Sequence, residues 1–202
     1  MSWVYDDTKG QNRYAWAWNS NEAINNYWQM YYYFVDSGKM TTEALCGILG
    51  NVAHESQGNP WQEQVNNPDK GFGLIQWTPP SSLTKVYNNQ YPTGEQQCLL
   101  IWNEIINNQV WEGGGARFYA NHGYNYNATS FCALTDVEEA TRAYFWERVR
   151  GSNENIRVTY ADWIYSNVFG GQPAPPTPPS PSPENEDLTW WVLKLLRVVQ
   201  NI

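Results

Sequence analysis

The stretch from Thr41 to Thr78 constrains the fold more than any other part of the chain. Its first half carries apolar residues at the i, i+3, i+4, i+7 spacing of one buried helix face: Leu45, Ile48, Leu49 and Val52. At about 100° per residue, Glu55 falls roughly 20° from Ile48, at the edge of this stripe, whereas His54 faces water. Contact with apolar surface raises the pKa of a carboxyl group, as a general acid requires. The spacing predicts a helix whose last turn presents Glu55 beside the core, as a catalytic acid or as an ordinary terminal residue.

The second half of this stretch predicts a loop and a short β-ribbon. Turn-forming residues occupy positions 66–69. Glycines at 71 and 73 allow a short antiparallel ribbon to bend closely around a ligand. Gln76 offers a donor and an acceptor to a sugar amide or hydroxyl, and Trp77 offers a stacking face. We therefore expect an α+β fold, mostly helical, with a small antiparallel β-ribbon near the active-site cleft.

Capping signals divide the rest of the chain into helices and appendages. Residues 1–19 predict an irregular arm, and Asn19 or Ser20 caps a helix that ends near Val35. Capping boxes at 93/96 and 135/138 begin two further helices, and a final helix covers 154–168. We expect one domain over residues 1–171, a Pro-rich linker over 172–183 and an amphipathic helical segment over 184–202.

Composition excludes several classes of function. The net charge of -8 argues against nucleic acid as a partner, because phosphate binding requires clustered Lys and Arg. The chain has 12 Trp and 14 Tyr, more than a small core can bury, so some of these rings are expected to line a carbohydrate cleft. No apolar stretch is long enough to span a membrane, and the first residues do not resemble a signal peptide.

Cysteine and metal chemistry are the weaker enzymatic alternatives. Three cysteines do not complete a disulfide framework, and Cys46 and Cys98 fit core positions. Cys132 with His122 is the one arrangement left for a cysteine peptidase. Two distant histidines do not supply a zinc site, so no metal and no other cofactor is expected.

Three short motifs occur in a recognisable order. They are Glu55-Ser56 at the end of a helix, Asn59-Pro60, and Gly71-Phe72-Gly73-Leu74-Ile75-Gln76-Trp77. In these motifs the chain resembles the phage tail lysozyme family, which is related to goose-type lysozymes and lytic transglycosylases. Residues 140–165, with Glu147-Arg148, resemble the closing helices of that family. The resemblance implies a lysozyme-like fold.

The resemblance also implies a reaction and a site. Glu55 would protonate the glycosidic oxygen of the MurNAc–GlcNAc β-1,4 bond in peptidoglycan, as in a glycoside hydrolase. Asp69 is the candidate second catalytic carboxylate, with Glu63 as the fallback, because goose-type relatives carry an acid in a comparable place. The expected substrate-binding residues are Ser56, Gly73, Gln76, Trp77, Tyr119 and Asn121. A lytic transglycosylase acting on the same bond and a non-catalytic carbohydrate-binding tail protein are the open alternatives.

The C-terminal segment suggests a second partner besides peptidoglycan glycan strands. Residues 188–202 are rich in Leu, Trp and Val and follow a stiff spacer. Exposed apolar side chains of this kind favour aggregation unless they are buried. We expect the segment to attach the domain to a phage tail protein, or to fold back onto its own domain. The expected location is the virion tail tip, or the host cytoplasm before lysis.

Overall fold

The computed structural model describes residues 2–11, 13–64, 70–107, 124, 126–149 and 151–170. Over these ranges the secondary structure is helical, and its bounds are as follows: α1 Asn21–Tyr31, α2 Thr42–Ser56, α3 Ser81–Thr84, α4 Gly94–Ile106, α5 Ala128–Cys132, α6 Val137–Tyr144 and α7 Glu154–Ile164. The helices α1, α6 and α7 each continue into a π-helical turn, and α3 continues into a 3₁₀ turn. No helix in the described ranges has both the length and the apolarity required to cross a membrane.

Helix α2 lies at the centre of the molecule. Eleven of its 15 residues are buried, so it is enclosed on nearly all sides and not only along the predicted stripe. The main neighbours of α2 are α6 and α7, which also pack against each other. The buried side chains around α2 form one continuous core, which includes Leu45, Ile48, Leu49 and Val52. The predicted core face is therefore confirmed.

Two glycines allow the helices to approach α2 closely. A Cβ atom on Gly47 would lie 2.5 Å from the backbone carbon of Ala140 in α6. A Cβ atom on Gly50 would lie 2.4 Å from the carbonyl oxygen of Arg157 and 2.7 Å from the Cβ of Ala161, both in α7. Neither contact leaves room for a methyl group, because real Cβ atoms do not approach other atoms so closely. The spacing of the two glycines on α2 therefore sets the positions of α6 and α7.

The predicted α+β class is wrong for the described part of the chain, which is all-α. Where the β-ribbon was expected, there are two isolated bridges, Glu63 with Phe72 and Phe72 with Trp77. The backbone N–H of Phe72 donates to the carbonyl of Trp77 at 3.1 Å, and the reverse bond is 2.9 Å. Only four residues separate this pair, and within them Gly73 and Gln76 have positive φ angles of 87° and 53°. The chain therefore reverses before a ladder can form.

Side chains take the place of a partner strand at this turn. The N–H of Leu74 donates to Gln97 Oε1 at 2.8 Å, and the carbonyl of Leu74 accepts from Ser56 Oγ at 2.8 Å. Gln97 belongs to α4 and Ser56 to α2, and both are fully buried. Because backbone groups must be paired when they are buried, these two side chains satisfy the turn without a sheet.

The helix starts agree closely with the capping signals. Ser20 caps α1 and Thr41 caps α2, and Thr93 with Gln96 forms the predicted capping box at α4. At α6 the cap is Asp136, whose side chain accepts from the N–H of Glu139, so the prediction of Thr135 was wrong by one residue. A carboxylate caps as well as a hydroxyl does, and it also interacts favourably with the helix dipole.

The first 19 residues contain no helix in the described ranges, as predicted, but hydrogen bonds fix them to the domain. The side chain of Asn26 bonds both the N–H and the carbonyl of Val4, each at 2.8 Å. Asn59 does the same for Asp6, at 3.3 and 2.7 Å. We refer to residues 2–18 as the N-terminal arm. The arm lies along the loop that follows α2.

The contact at Gly50 predicts an unusual response to substitution. Gly→Ala inside a helix ordinarily stabilises by about 0.5–1 kcal/mol, because the chain loses less conformational freedom on folding. At Gly50 the added methyl would displace α7, so we expect Gly50→Ala to lower the free energy of unfolding by about 1–3 kcal/mol. Denaturant-induced unfolding of the variant and the parent measures this difference. A variant as stable as the parent would contradict close packing of α2 on α7.

Candidate active site

A polar cleft of about 440 Å³ opens at the C-terminal end of α2. Three parts of the chain form most of its walls: the N-terminal arm, the segment around residues 62–64, and the start of α7 with the residues before it. The lining residues are Gln11, Arg13, Tyr14, His54, Glu55, Gln62, Glu63, Gln64, Gln76, Gly151, Ser152 and Arg157. Nearly all of them are hydrogen-bonding residues, which suits a hydroxyl-rich ligand.

Glu55 lies at the mouth of this cleft because α2 ends directly after it. The helix stops at Ser56, and Gln57 adopts a left-handed conformation with a φ of 54°. Such a residue terminates a helix and turns the chain away. The side chain of Glu55 is 20% exposed, so it contacts both the core and the cleft. The predicted position of Glu55 at the edge of the core is confirmed.

Glu55 forms an ion pair with Arg157 of α7. Arg157 Nη2 donates to Glu55 Oε1 at 2.6 Å. Arg157 is only 1% exposed, so its guanidinium has left water almost completely. A buried charge of this kind requires a partner of opposite charge. Glu55 supplies that charge.

The pKa of Glu55 is lowered from its ordinary value, so the expectation of a raised pKa is wrong. Burial is the largest single influence and by itself raises the pKa of Glu55. The neighbouring His54 ring and the Arg157 guanidinium together outweigh burial, because both stabilise the carboxylate and Arg157 also donates a hydrogen bond to it. The helical spacing located the apolar surface beside Glu55, but it gave no information about the arginine on another helix.

Further contacts hold Arg157 in place independently of Glu55. Its Nη1 donates to Asn51 Oδ1 at 3.3 Å, and its Nε donates to the carbonyl of Ser152 at 3.1 Å. The guanidinium carbon also lies 5.0 Å from the centre of the Phe145 ring, within the range of a cation–π contact. Arg157 is therefore positioned by these groups as well as by the ion pair.

His54 is partly buried beside Glu55 and does not face open water as predicted. Its side chain is 23% exposed, and Nδ1 lies 3.9 Å from Glu55 Oε1, which is too long for a hydrogen bond. Asn153 Nδ2 approaches the other ring nitrogen at 3.4 Å. If that nitrogen accepts, the neutral imidazole carries its proton on Nδ1, on the side of Glu55. Within the described ranges, Nδ1 has no hydrogen-bond partner.

The structure separates the predicted substrate-binding residues into two groups. Gln76 lines the cleft, although its Nε2 already donates to the carbonyls of Gln62 and Gly73 at 3.1 and 2.9 Å. Ser56, Gly73 and Trp77 are buried and lie outside the lining. The indole of Trp77 is 3% exposed, and its Nε1 donates to a carboxylate of α4 at 2.9 Å. These three residues shape the turn beside Glu55.

Three of the remaining predicted residues lie outside the described ranges, and one lies in the cleft. Asp69, Tyr119 and Asn121 lie outside the described residues, and their roles stay predictions. The fallback carboxylate, Glu63, lines the same cleft as Glu55. Glu63 is 7% exposed, and its Oε2 accepts from the backbone N–H of Gly10 at 2.8 Å.

Sequence reasoning missed Arg157, although a usable signal was present. Arg157, Ala161 and Ile164 follow the i, i+4, i+7 spacing of the face of α7 that is buried in the structure. An arginine on such a face requires a buried acidic partner, and Glu55 was already placed beside the core. The two observations together would have predicted the pair.

The alternative chemistries receive little support from the described residues. Burial raises the pKa of the Cys132 thiol to about 11, which disfavours the thiolate that a cysteine nucleophile needs. Cys46 and Cys98 are buried, as predicted. Within the described ranges, no group of three or more His, Cys, Asp or Glu side chains is arranged to hold a metal ion.

The Glu55–Arg157 pair predicts a specific dependence of stability on pH. The pKa of Glu55 in the folded state lies below its ordinary value of 4.5. The pair therefore stabilises fully above that ordinary value, and the stabilisation is lost as pH falls through the folded-state pKa. We expect Glu55→Gln to lower the free energy of unfolding by about 1–3 kcal/mol near neutral pH and by less in acid. Denaturant unfolding across an acid-to-neutral pH series measures this gap.

A double-mutant cycle provides the control for this prediction. In an Arg157→Met background the partner charge is absent and burial disfavours the Glu55 carboxylate, so the further change Glu55→Gln is expected no longer to destabilise the protein near neutral pH. A gap between parent and Glu55→Gln that stays the same at every pH would contradict the role assigned to the pair.

The chain is similar to known phage proteins over most of its length. The model of the phage tail lysozyme family matches residues 25–168. Morphogenesis protein 1 of Bacillus phage B103 is 40% identical over 140 residues, which make up 64% of this chain and 36% of that relative. The chain thus spans little more than a third of the length of the curated relative. Because the family match covers well over half of the 202 residues and includes both Glu55 and Arg157, this chain belongs to the phage tail lysozyme family.

Proposed function

We propose that this chain is a lysozyme-type glycoside hydrolase that cleaves the MurNAc–GlcNAc β-1,4 bond of peptidoglycan, with Glu55 as the general acid. Membership of the phage tail lysozyme family supports a lysozyme-like role in peptidoglycan hydrolysis. The observation that carries the proposal is the position of Glu55: a partly exposed carboxyl group at the mouth of a polar cleft, held by a buried arginine.

Arg157 determines which oxygen of Glu55 can carry the proton. A guanidinium group only donates hydrogen bonds, and the carbonyl oxygen of a protonated carboxyl group is a better acceptor than its hydroxyl oxygen, so the bond from Arg157 to Oε1 favours the proton on the other oxygen. The acidic proton therefore belongs on Oε2. In the proposed reaction, the Oε2–H group donates to the glycosidic oxygen while the bond to the anomeric carbon breaks and an oxocarbenium-like centre develops.

The same arginine stabilises the product of proton transfer. Once Glu55 has lost its proton, it is a carboxylate beside a fixed positive charge, which is the more stable arrangement. A low pKa makes Glu55 a strong proton donor but leaves little of it protonated at neutral pH. The protonated fraction grows as pH falls, so these contacts favour catalysis under acidic conditions.

Two carboxylates are candidates for the second catalytic role. Asp69 is supported by the family resemblance, and Glu63 is supported by its place in the lining of the cleft. In a hydrolase such a group activates water or attacks the anomeric carbon. In a lytic transglycosylase the 6-hydroxyl of the substrate attacks instead, and no second carboxylate is needed. We favour hydrolysis on the family resemblance.

The proposed setting is the tail of a phage particle. Family membership and the similarity to a phage morphogenesis protein both support association with a virion. We propose that the domain degrades the wall during penetration at the tail tip, and that residues 188–202 attach it to a tail protein. A carrier would bring this acidic chain to an anionic wall without the help of electrostatic attraction.

Replacement of the proposed acid is the direct test of the reaction. Glu55→Gln keeps the size of the side chain and a hydrogen-bond acceptor for Arg157, but it removes the ionisable proton. We expect its rate on purified peptidoglycan to fall roughly 10²–10⁴-fold, the usual contribution of one general acid. Release of soluble muropeptides measures the rate. Wild-type activity in Glu55→Gln would exclude Glu55 as the acid.

Matched variants and product analysis separate the remaining alternatives. Asp69→Asn and Glu63→Gln should show which residue is the second catalytic carboxylate. The variant of that residue is expected to lose most of its activity on peptidoglycan and still bind glycan, whereas the other variant is not. Mass spectrometry should find reducing ends on the products, whereas 1,6-anhydro ends would indicate transglycosylation. A wild-type chain that binds glycan and releases no muropeptides would instead be a carbohydrate-binding tail protein.

The attachment role predicts that the C-terminal segment is dispensable for catalysis. Truncation after Pro183 should leave both the rate on peptidoglycan and the thermal stability of the domain unchanged, and it should abolish incorporation into the virion. Each large apolar side chain buried in a partner contributes about 1.5–3 kcal/mol, so the Trp and Leu residues of 188–202 suffice for attachment. A truncated chain that unfolds at a clearly lower temperature would show that the segment packs on its own domain.

A further inference from the structure

Tyr14 of the N-terminal arm is an exposed aromatic residue inside the cleft. Half of its surface, 51%, is open to solvent, and it is the most exposed of three large apolar or aromatic residues that are exposed in the described ranges. The other two, Ile106 and Ile156, lie outside the lining of this cleft. Among the described lining residues, Tyr14 is also the sole Tyr, Trp or Phe. The aromatic surface available to a ligand here is therefore that of Tyr14.

The backbone on both sides of Tyr14 is fixed by one buried side chain. Gln62 is 4% exposed, and its Nε2 donates to the carbonyl of Arg13 at 3.0 Å. Its Oε1 accepts from the N–H of Ala15 at 3.4 Å. Gln62 lies on the segment that follows α2, so it fixes the backbone around Tyr14 to the chain that comes after Glu55.

Further contacts hold the arm before and after Tyr14. The indole of Trp16 donates to the carbonyl of Gln57 at 2.7 Å. On the other side, the guanidinium of Arg13 forms two hydrogen bonds with the carboxylate of Asp6, at 3.0 and 3.1 Å. Holding a side chain in its bound position before the ligand arrives reduces the entropic cost of binding. These contacts hold the arm in place as a wall of the cleft.

The phenol of Tyr14 lies within electrostatic range of the catalytic pair. Burial is the main cause of its raised pKa, and the Glu55 carboxylate raises it further. Arg157 acts in the opposite direction. A ligand that contacts Tyr14 therefore also lies close to the proposed acid.

The arm is not part of the region that defines the family. The family match begins at residue 25, after the last residue of the arm. Family membership therefore assigns no role to Tyr14, and the role must be argued from the contacts of this chain.

We propose that Tyr14 binds substrate by stacking its ring against the apolar C–H face of a pyranose unit, an N-acetylhexosamine of the glycan strand, next to the bond that Glu55 cleaves. A tyrosine suits this task because its flat ring is apolar and its hydroxyl remains able to form hydrogen bonds. The inference rests on the proposed function, since it takes the ligand to be the glycan substrate. Tyr14 is a binding residue and takes no part in bond cleavage.

Equilibrium binding in an inactive background tests the proposal. The full chain carrying Glu55→Gln is titrated with soluble GlcNAc oligosaccharide and with solubilised peptidoglycan glycan strands, without turnover. Tyr14→Ala is added to remove the ring, Tyr14→Phe to keep it, and Ile156→Ala to remove an exposed apolar side chain outside the cleft. We expect Tyr14→Ala to raise the Kd roughly 5- to 15-fold, while Tyr14→Phe and Ile156→Ala stay within about twofold of the reference. In the active enzyme, Tyr14→Ala should raise KM more than it lowers kcat.

The outcomes separate this inference from the function on which it rests. If the reference chain binds glycan and Tyr14→Ala binds equally well, the role of Tyr14 is overturned and the proposed function stands. A similar loss of affinity in Ile156→Ala would also overturn it, because the effect would then not be specific to the cleft. If the reference chain binds no glycan and the wild-type chain releases no muropeptides, both proposals fail together.

Discussion

The arrangement of the site depends on the need to neutralise one buried guanidinium group. Arg157 is almost fully removed from water, and the transfer of an unpaired charge into such an environment is prohibitive. Glu55 provides the compensating charge at 2.6 Å, and Asn51 and Ser152 occupy further donors. The proposed acid is therefore also part of what stabilises the packing of α7 on α2. The same carboxyl group stabilises the fold as a carboxylate and would act in catalysis as a protonated acid.

Close helix packing makes this pair possible. Gly50 lies five residues before Glu55 on α2, and the absence of its side chain leaves room for the backbone of Arg157. Gly151 also lies against the Glu55–Arg157 pair. A Cβ atom on Gly151 would lie 2.9 Å from Arg157 Nη2 and 3.7 Å from Glu55 Oε1, so a larger residue there would crowd the pair. The glycines thus set the distance between two helices and keep the space above the pair open to the cleft.

Buried amide side chains form hydrogen bonds with backbone groups that would be paired within a β-sheet in other folds. Each bonds backbone groups from a segment distant in sequence, and each is largely inaccessible to water: Asn26, Asn51, Asn59, Gln62 and Gln97. An amide offers a donor and an acceptor, so one side chain can satisfy two backbone groups of an irregular segment. This explains how the N-terminal arm and the turn at 73–76 stay ordered without regular secondary structure. It also explains why the turn signals and glycines around residues 71–76 do not lead to strands.

Local signals in the sequence determined the starts of α1, α2 and α4, the buried face of α2 and the position of Glu55 at its end. These features depend on side-chain spacing and on capping groups a few residues apart, which are visible in one dimension. The motifs around Glu55 and Gln76 also indicated the family. Only the tertiary structure decided the partner of Glu55, the direction of its pKa shift and the place of Tyr14 in the cleft. Each of these depends on segments far apart in the chain, Arg157 being 102 residues from Glu55. Charges and hydrogen bonds act through space, so their effect on a residue cannot be known until the fold has brought its neighbours together.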